Sequence, residues 1–253
     1  MVLISGLGAQ LIAWDDAFCQ QLVDRGLFVI RFDNRDVGLS SHLADRPASD
    51  PSAETAGAAP AACYRLAQMA ADTAGLIDNL GLGSAHVVGI SLGGMIAQIL
   101  AIEHPERVRS LTSIMSTTGN DQVGRPTDAA LALFLLPPGE HPGGRHGPRR
   151  ALQPHSRLAG ISDRRDGAAT EPVRAFDRAF NPQGVARQLA AAMTTPDRTE
   201  DLRRLDLPTL VIHGADDPVI AVSGGQATAA AIPGAELVVI DGVTTSPGRC
   251  GPP

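Results

Sequence analysis

The sequence predicts an α/β protein, with a mostly parallel sheet and helices packed on both of its faces. Short runs rich in Val, Ile and Leu alternate with longer segments of helical periodicity, and this alternation is typical of parallel sheets. Glycines stand where helices would end, at Gly26 and Gly81. A chain of 253 residues that is 43% hydrophobic can also bury the core of one domain and carry an inserted subdomain.

The apolar runs and the helical segments define the elements of this sheet in chain order. Six runs are short and apolar enough for buried strands, at residues 2–5, 27–32, 85–90, 108–114, 208–213 and 235–240. Amphipathic helices are predicted between them, near residues 15–25, 64–80, 92–103 and 222–231. Helices in these positions connect parallel neighbours and cover both faces of the sheet.

Two stretches interrupt the alternation. Residues 44–63 are a low-complexity surface excursion of Ala, Pro and Ser, and residues 137–168 are dense in Pro, Gly, Arg and His with hardly any apolar period. Helical patterns with apolar faces remain near 128–136, 172–180 and 183–193, which suggests an apolar-lined pocket. The predicted domains are a discontinuous core and a partly irregular cap inserted into it, at residues 1–116 with 201–253 and at residues 117–200.

Composition narrows the classes of partner and compartment. A net charge of −6 and a pI near 5.6 disfavour a nucleic-acid partner. The three cysteines form no CxxC or metal-binding spacing, which favours a reducing compartment and no metal site. We find no signal-peptide pattern and no run of membrane-spanning length. We therefore expect a cytoplasmic protein without a membrane partner or a cofactor. The sequence does not indicate its oligomeric state.

A candidate nucleophile stands where a strand meets a helix, in "HVVGISLGGMIAQ". Residues 89–93 match G-x-S-x-G in the strand–turn–helix context that this motif requires. A serine on so sharp a turn is strained, and only small neighbours at Gly89 and Gly93 let strand and helix approach each other. Ser91 would then lie at a helix N-terminus, where N–H groups can stabilise an oxyanion. The alternative is a glycine-rich turn with a capping serine.

Two earlier segments, "ISGLGAQ" (4–10) and "RFDNRDVGLSS" (31–41), precede this motif. Together with the G-x-S-x-G motif, these two segments resemble those of the α/β-hydrolase family, and the resemblance covers most of the chain. The resemblance implies that 4–10 is the loop after the family's third strand and that the N–H groups of Leu7 and Leu92 form the oxyanion hole. The second segment is similar to the family's D-x-R-G-x-G-x-S, with Asp36 in place of the first Gly. That variant resembles the branch containing polyketide methyl-ester hydrolases.

The charged residues of the second segment, Asp33, Arg35 and Asp36, have two interpretations. They could take part in catalysis, or they could form a structural network of ion pairs and turns. We favour the structural network over direct catalysis.

The segment "LVIHGADDPVI" (210–220) follows a strand and resembles the family's G-x-x-D element. Its match makes Asp217 the acid that orients a catalytic histidine. Alternatively, Asp216 and Asp217 only cap the following loop. We expect a structural role for His213, because the family order is serine, acid, histidine.

The third member of the triad is expected after the last strand, in a Gly-His loop. The printed sequence has no histidine after His213, and six others precede the acid, at His42, His86, His104, His141, His146 and His155. Back-translation of residues 243–252 with GC-rich codons, shifted by one base, spells Gly-His-Asp-Leu-Pro-Arg-Ala-Leu-Trp-Pro. This peptide is similar to the family's histidine loop and its final helix.

The hypothesis is an out-of-frame tail, with residues 137–168 as a second shifted segment. Met1 stands directly on what resembles the family's third strand, so we expect a chain truncated at both ends. Such a sheet would leave an exposed edge and uncovered apolar surface.

The expected function is hydrolysis of a carboxylic ester or related acyl bond of a small molecule, with Ser91 as nucleophile and Asp217 as acid. The expected histidine is missing, so a non-catalytic remnant or a binding protein is the alternative from another class. Acyl transfer and perhydrolysis use the same site and stay open.

Overall fold

The computed structural model describes residues 1–45, 62–134 and 171–243. Most of the predicted surface excursion at 44–63, all of the irregular stretch at 137–168 and the tail from residue 244 lie outside these described residues.

The described strands form one parallel sheet in the order β2-β1-β3-β4-β5-β6. Their bounds are β1 Val2–Ile4, β2 Ile30–Arg31, β3 Ala85–Ile90, β4 Val108–Ile114, β5 Thr209–Gly214 and β6 Glu236–Ile240. The chain first builds outward from β1 to β2 and then crosses to β3 on the other side of β1. Open α/β sheets generally bind their ligands beyond the carboxyl ends of the strands at such a reversal, which here are those of β1 and β3.

Helices connect the strands as the sequence predicts. The described α-helices are α1 Asp16–Val23, α2 Leu66–Asn79, α3 Leu92–Glu103, α4 Asp128–Phe134, α5 Glu171–Arg178, α6 Pro182–Met193, α7 Thr199–Leu202 and α8 Ser223–Ala231. Gly26 and Gly81, at φ of 83° and 68°, end α1 and α2 in the left-handed conformation, which confirms them as helix caps. Helices α4 to α7 lie in the connection from β4 to β5.

Apolar side chains of β1 alternate between the two faces of the sheet. Val2 and Ile4 pack into a cluster with residues of α2 and α3, whereas Leu3 packs into a second cluster with Trp14 and with Cys19 of α1. Because neighbouring side chains of a strand point to opposite faces, the two clusters show that both faces are covered. The predicted class, a mostly parallel α/β sheet with helices on both faces, is therefore confirmed.

The two edge strands differ from their prediction. The run at 27–32 contributes only a two-residue strand, Ile30–Arg31, and both residues are partly exposed. The prediction of a buried strand at 235–240 is wrong, because every residue of β6 is exposed and its four apolar side chains are 37–44% exposed. Among the described strands, β6 pairs with β5 alone. A local apolar pattern does not reveal whether other elements cover it.

The turn after β2 and the β4–β5 connection are joined by a buried ion pair. Arg187 of α6 contacts both carboxylate oxygens of Asp36, with Nη2–Oδ1 at 2.7 Å and Nε–Oδ2 at 2.9 Å. Both side chains are essentially inaccessible to solvent. Burial alone would raise the pKa of Asp36, but hydrogen bonds from Arg187 and from the Leu43 N–H hold it below its ordinary value.

The neighbouring charges confirm the predicted ion-pair and turn network. Arg178 of α5 lies 2.7 Å from Asp33, whose carboxylate also accepts the N–H of Leu11 at 2.7 Å. Arg35 pairs with Asp72 of α2 through two hydrogen bonds of 2.6 and 2.7 Å. Each charge of the segment therefore has a structural partner, and each pair ties the turn after β2 to a different part of the protein.

The buried pair gives a stability prediction. We expect Arg187→Leu to lower the free energy of unfolding by about 3–5 kcal/mol, because Asp36 would stay buried without its guanidinium partner. The control is Arg203→Leu, whose pair with Glu200 is largely exposed and worth less than about 1 kcal/mol. Urea denaturation measures both variants, and equal losses would contradict the importance of the buried pair.

Candidate active site

Ser91 lies on a strained turn between β3 and α3. Its φ of 54° and ψ of −119° place it in a conformation that non-glycine residues rarely adopt and that costs about 1–3 kcal/mol. The end of β4 supports the turn, because the Ser91 N–H donates to the Ile114 carbonyl at 2.8 Å and the Ser116 hydroxyl donates to the Ser91 carbonyl at 2.9 Å. The Ser91 side chain makes no capping hydrogen bond to α3, which argues against the capping-serine alternative.

Glycines are needed around this turn because backbone segments touch there. A Cβ at Gly89 would lie 2.1 Å from the Gly93 carbonyl oxygen, and one at Gly93 would lie 2.2 Å from the Ile4 carbonyl oxygen. Gly94, which sequence reasoning missed, meets the same limit, since its Cβ would lie 2.6 Å from that of Ser116. The second glycine of "SLGG" was the sequence signal that could have indicated this close contact.

The loop after β1 passes directly beside the nucleophile. A Cβ built at Gly6 would lie 3.5 Å from the Cβ and 4.0 Å from the Oγ of Ser91. Within the described parts of the chain, neither the Leu7 N–H nor the Leu92 N–H donates to another group. Two backbone donors at the predicted oxyanion positions are therefore available to a substrate oxygen.

Asp217 lies beyond the end of β5 and is 5% exposed. Its Oδ1 accepts the N–H groups of Val219 at 2.9 Å and Ile220 at 3.1 Å, so the capping interpretation accounts for one of its two oxygens. Strand β4 alone separates β5 from β3. Because adjacent strands lie about 4.8 Å apart, the ends of β3 and β5 are about 10 Å apart, a gap that an imidazole side chain could bridge.

His213 has structural partners, as its position in the sequence suggests. Its side chain is fully buried, and Nε2 lies 2.8 Å from the Ile220 carbonyl oxygen and 3.7 Å from Oδ2 of Asp217. The ring packs against α8, where a Cβ at Gly225 would lie 2.4 Å from Nδ1. These contacts join β5 to the loop that follows it and to α8.

The remaining described histidines lie in structural settings. His86 contacts the Ser110 hydroxyl at 2.8 Å, His104 ends α3, and His42 contacts the Gly38 carbonyl at 3.0 Å. In residues 1–45, 62–134 and 171–243, no hydrogen bond or ion pair joins a histidine to Ser91. His141, His146 and His155 lie outside the described residues.

The chain leaves β6 beside the candidate acid. Asp216 accepts the Gly242 N–H at 3.2 Å, and the Val243 carbonyl packs so closely that a Cβ at Gly214 would lie 1.9 Å from its oxygen. The loop after β6 therefore starts next to the segment that carries Asp217. This is where the predicted Gly-His loop would begin, although the tail itself lies outside the described residues.

Other kinds of site have little support in the described residues. No group of three or more His, Cys, Asp or Glu side chains is arranged to hold a metal ion there. Cys19 is buried and Cys63 partly buried, both as free thiols, and burial raises the pKa of Cys19. None of the described helices is both long and apolar enough to cross a membrane.

Comparisons with known proteins agree with this architecture. The family model described as alpha/beta hydrolase fold matches residues 1–243. Rhodomycin D methylesterase DnrP of Streptomyces peucetius is 35% identical over 133 residues, which are 52% of this chain and only 39% of that protein. A poly(3-hydroxyalkanoate) depolymerase of Ectopseudomonas oleovorans is 30% identical over 248 residues, 95% of this chain and 76% of that one.

A solved structure resembles the whole described fold. A hydrolase from Pseudomonas aeruginosa PA01 superimposes with a TM-score of 0.65 at 27% sequence identity. The match covers 96% of this chain and 81% of the other.

The glycine contacts give a second prediction. We expect Gly93→Ala to lower the free energy of unfolding by about 1–3 kcal/mol or more, because the new methyl group would clash with the backbone of β1. Gly75→Ala is the matched helical control, since nothing lies within 4 Å of its Cβ position and alanine should stabilise α2 by up to about 1 kcal/mol. Thermal unfolding measures both, and a stabilising Gly93→Ala would contradict the close approach.

Proposed function

Because the chain belongs to the α/β-hydrolase family, we propose that it is a serine hydrolase that cleaves a carboxylic ester or a related acyl bond. The observation that carries the proposal is the strained turn of Ser91, with the uncommitted N–H groups of Leu7 and Leu92 beside it. A nucleophile facing two backbone donors is the arrangement that acyl transfer requires.

The proposed reaction has two steps. The Ser91 Oγ attacks the carbonyl carbon and gives its proton to a histidine, while the Leu7 and Leu92 N–H groups bind the oxyanion. The tetrahedral intermediate expels the alcohol, which takes that proton, and water then hydrolyses the acyl-enzyme by the same route. Asp217 would orient the histidine and stabilise its imidazolium form. The residues of this mechanism need neither a metal nor an organic cofactor.

The proposed mechanism needs a general base, and the sequence has no histidine at the expected place. In a well-studied serine protease, removal of the triad histidine lowers kcat by a factor on the order of 10⁶. The printed tail contains no histidine, but its shifted frame places one directly after the position of Val243. We therefore propose that the base of the natural enzyme follows β6, beside the contact between Asp216 and Gly242.

The substrate class is proposed from the site and from the relatives. The methylesterase and the depolymerase are both named for reactions that suit an ester substrate, and Ser91 with Leu7 and Leu92 could serve such a reaction here. We propose a small-molecule ester as substrate. The free thiols of Cys19 and Cys63 favour a reducing compartment, so we place the reaction in the cytoplasm.

A non-catalytic function is the second candidate. It is favoured by the lack of any hydrogen bond between Ser91 and a histidine in the described residues. Such a protein would keep the family's pocket as a binding site. Acyl transfer and perhydrolysis differ from hydrolysis only in the acceptor of the acyl group, and the same serine would serve them.

The nucleophile can be tested directly with p-nitrophenyl acetate. We expect the purified chain, which lacks the base, to release p-nitrophenol slowly but faster than Ser91→Ala, because the variant cannot form an acyl-enzyme. Ser84→Ala is the control, since Ser84 immediately precedes β3 and so lies at the strand's opposite end. Equal rates for the chain and for Ser91→Ala would remove the enzymatic proposal and favour a binding protein.

The base can be tested by supplying a histidine. We expect Thr244→His to raise kcat by orders of magnitude, with a dependence on an ionisation near the ordinary histidine pKa of about 6.5. Thr244→Gln and the double variant Thr244→His with Ser91→Ala should show no gain. An unchanged kcat in a folded Thr244→His protein would contradict the proposed place of the base.

A further inference from the structure

The loop that carries the Leu7 N–H is hydrogen-bonded to helices of the connection between β4 and β5. We propose that Gln188 of α6 is a positioning residue that keeps this loop, residues 5–10, at the distance from Ser91 that oxyanion binding requires. The inference rests on the proposed function for its catalytic consequence. Its structural part, that Gln188 holds the loop, does not depend on activity.

Gln188 is fully buried and uses both ends of its side-chain amide. Its Oε1 accepts the Gly8 N–H at 2.9 Å, and its Nε2 donates to the Arg35 carbonyl at 2.8 Å. The donor end is thus committed to the turn after β2 and the acceptor end to the loop after β1. A side chain bonded at both ends in a buried site has one orientation, which suits it to fix a neighbouring backbone.

The helix that presents Gln188 is itself anchored. The preceding residue, Arg187, forms the buried pair with Asp36. Near the start of α6, a Cβ at Gly184 would lie 2.2 Å from the Asp36 carbonyl oxygen, so helix and turn are in direct backbone contact. Gln188 therefore reaches the loop from a rigid base.

A second contact of the same kind holds the far end of the loop. Gln10 donates from Nε2 to the carbonyls of Ala175 and Ala179 at 2.7 and 2.9 Å, and its Oε1 accepts from Arg178 at 2.8 Å. Helices α5 and α6 together thus bind the loop at Gly8 and at Gln10. These contacts leave the Leu7 N–H without a hydrogen-bond acceptor among the described residues.

The loop needs these contacts because its glycines make its backbone unusually free. Gly6 and Gly8 flank Leu7, and Gly8 adopts a φ of 66°, so the backbone on both sides has unusual freedom. A displacement of about 1 Å in a catalytic group can cost about 100-fold in rate. With Gly8 bonded to Gln188, the peptide next to the Leu7 N–H is fixed before a substrate arrives.

The first test compares Gln188→Leu with Gln183→Leu, an exposed position on the same helix. We expect Gln188→Leu to lower kcat for p-nitrophenyl acetate by about 10-fold to 100-fold with KM changed less than about 2-fold, because only transition-state binding is affected. Gln183→Leu should keep the activity of the unaltered chain. A Gln188→Leu enzyme with a raised KM and an unchanged kcat would overturn the inference.

A second variant, Gln188→Glu, separates positioning from general stability through its pH profile. A protonated glutamic acid can accept from the Gly8 N–H and donate to the Arg35 carbonyl, as the amide does, whereas the ionised form cannot donate. We expect the kcat of Gln188→Glu relative to the unaltered chain to be near one at low pH and to fall as pH rises through the pKa of the new carboxyl. A ratio independent of pH would count against the role.

Amide hydrogen exchange tests the structural part without activity. We expect Gln188→Leu to speed exchange in a peptide covering residues 5–11 by about 10-fold or more, and to leave residues 91–95 unchanged. Unchanged exchange at 5–11 overturns the inference, as does faster exchange with unchanged kcat. If neither the unaltered chain nor Thr244→His has esterase activity, the proposed function fails, and this comparison still decides whether Gln188 holds the loop.

Discussion

The close contact between α3 and the end of β1 is the constraint on which the candidate site depends. The backbone at Gly93 lies so near the Ile4 carbonyl that even a methyl group would stand 2.2 Å from its oxygen. This approach forces the sharp turn at Ser91 and brings the loop after β1 alongside it. Any side chain at position 93 would push the helix outward and open the gap that the two N–H donors must span.

The strain of that turn is supported by the neighbouring strand. The Ile114 carbonyl at the end of β4 and the Ser116 hydroxyl just beyond it bond the two backbone groups of Ser91. A residue held at a positive φ persists only when its surroundings determine it more strongly than its own preferences. Here the end of a central strand of the sheet and the residues just beyond it do so.

Polar contacts attach α5 and α6 to the turns of the sheet. The pair of Arg187 with Asp36 is buried, and such pairs add little net stability although they are costly to break on one side. Their value lies in geometry, because charges and amides accept few arrangements. The same helix that carries Arg187 also carries Gln188, so a contact that orients the helix also sets the loop beside the nucleophile.

Much of this architecture could be predicted from the sequence, and the reason is that the signals are local. Apolar runs, helical periods and the G-x-S-x-G turn around Ser91 each depend on neighbours within a few residues, and the family they imply is confirmed by the match over residues 1–243. The contacts of Gln188 with Gly8 and of Arg187 with Asp36 join residues 180 and 151 positions apart, and no local pattern announces them. The exposure of β6 was likewise decided by which elements pack around it. The sequence by itself determined the strands, the helices and the candidate nucleophile, whereas only the tertiary structure decided what holds the loop beside Ser91, because long-range hydrogen bonds form between segments that meet only once the chain has folded.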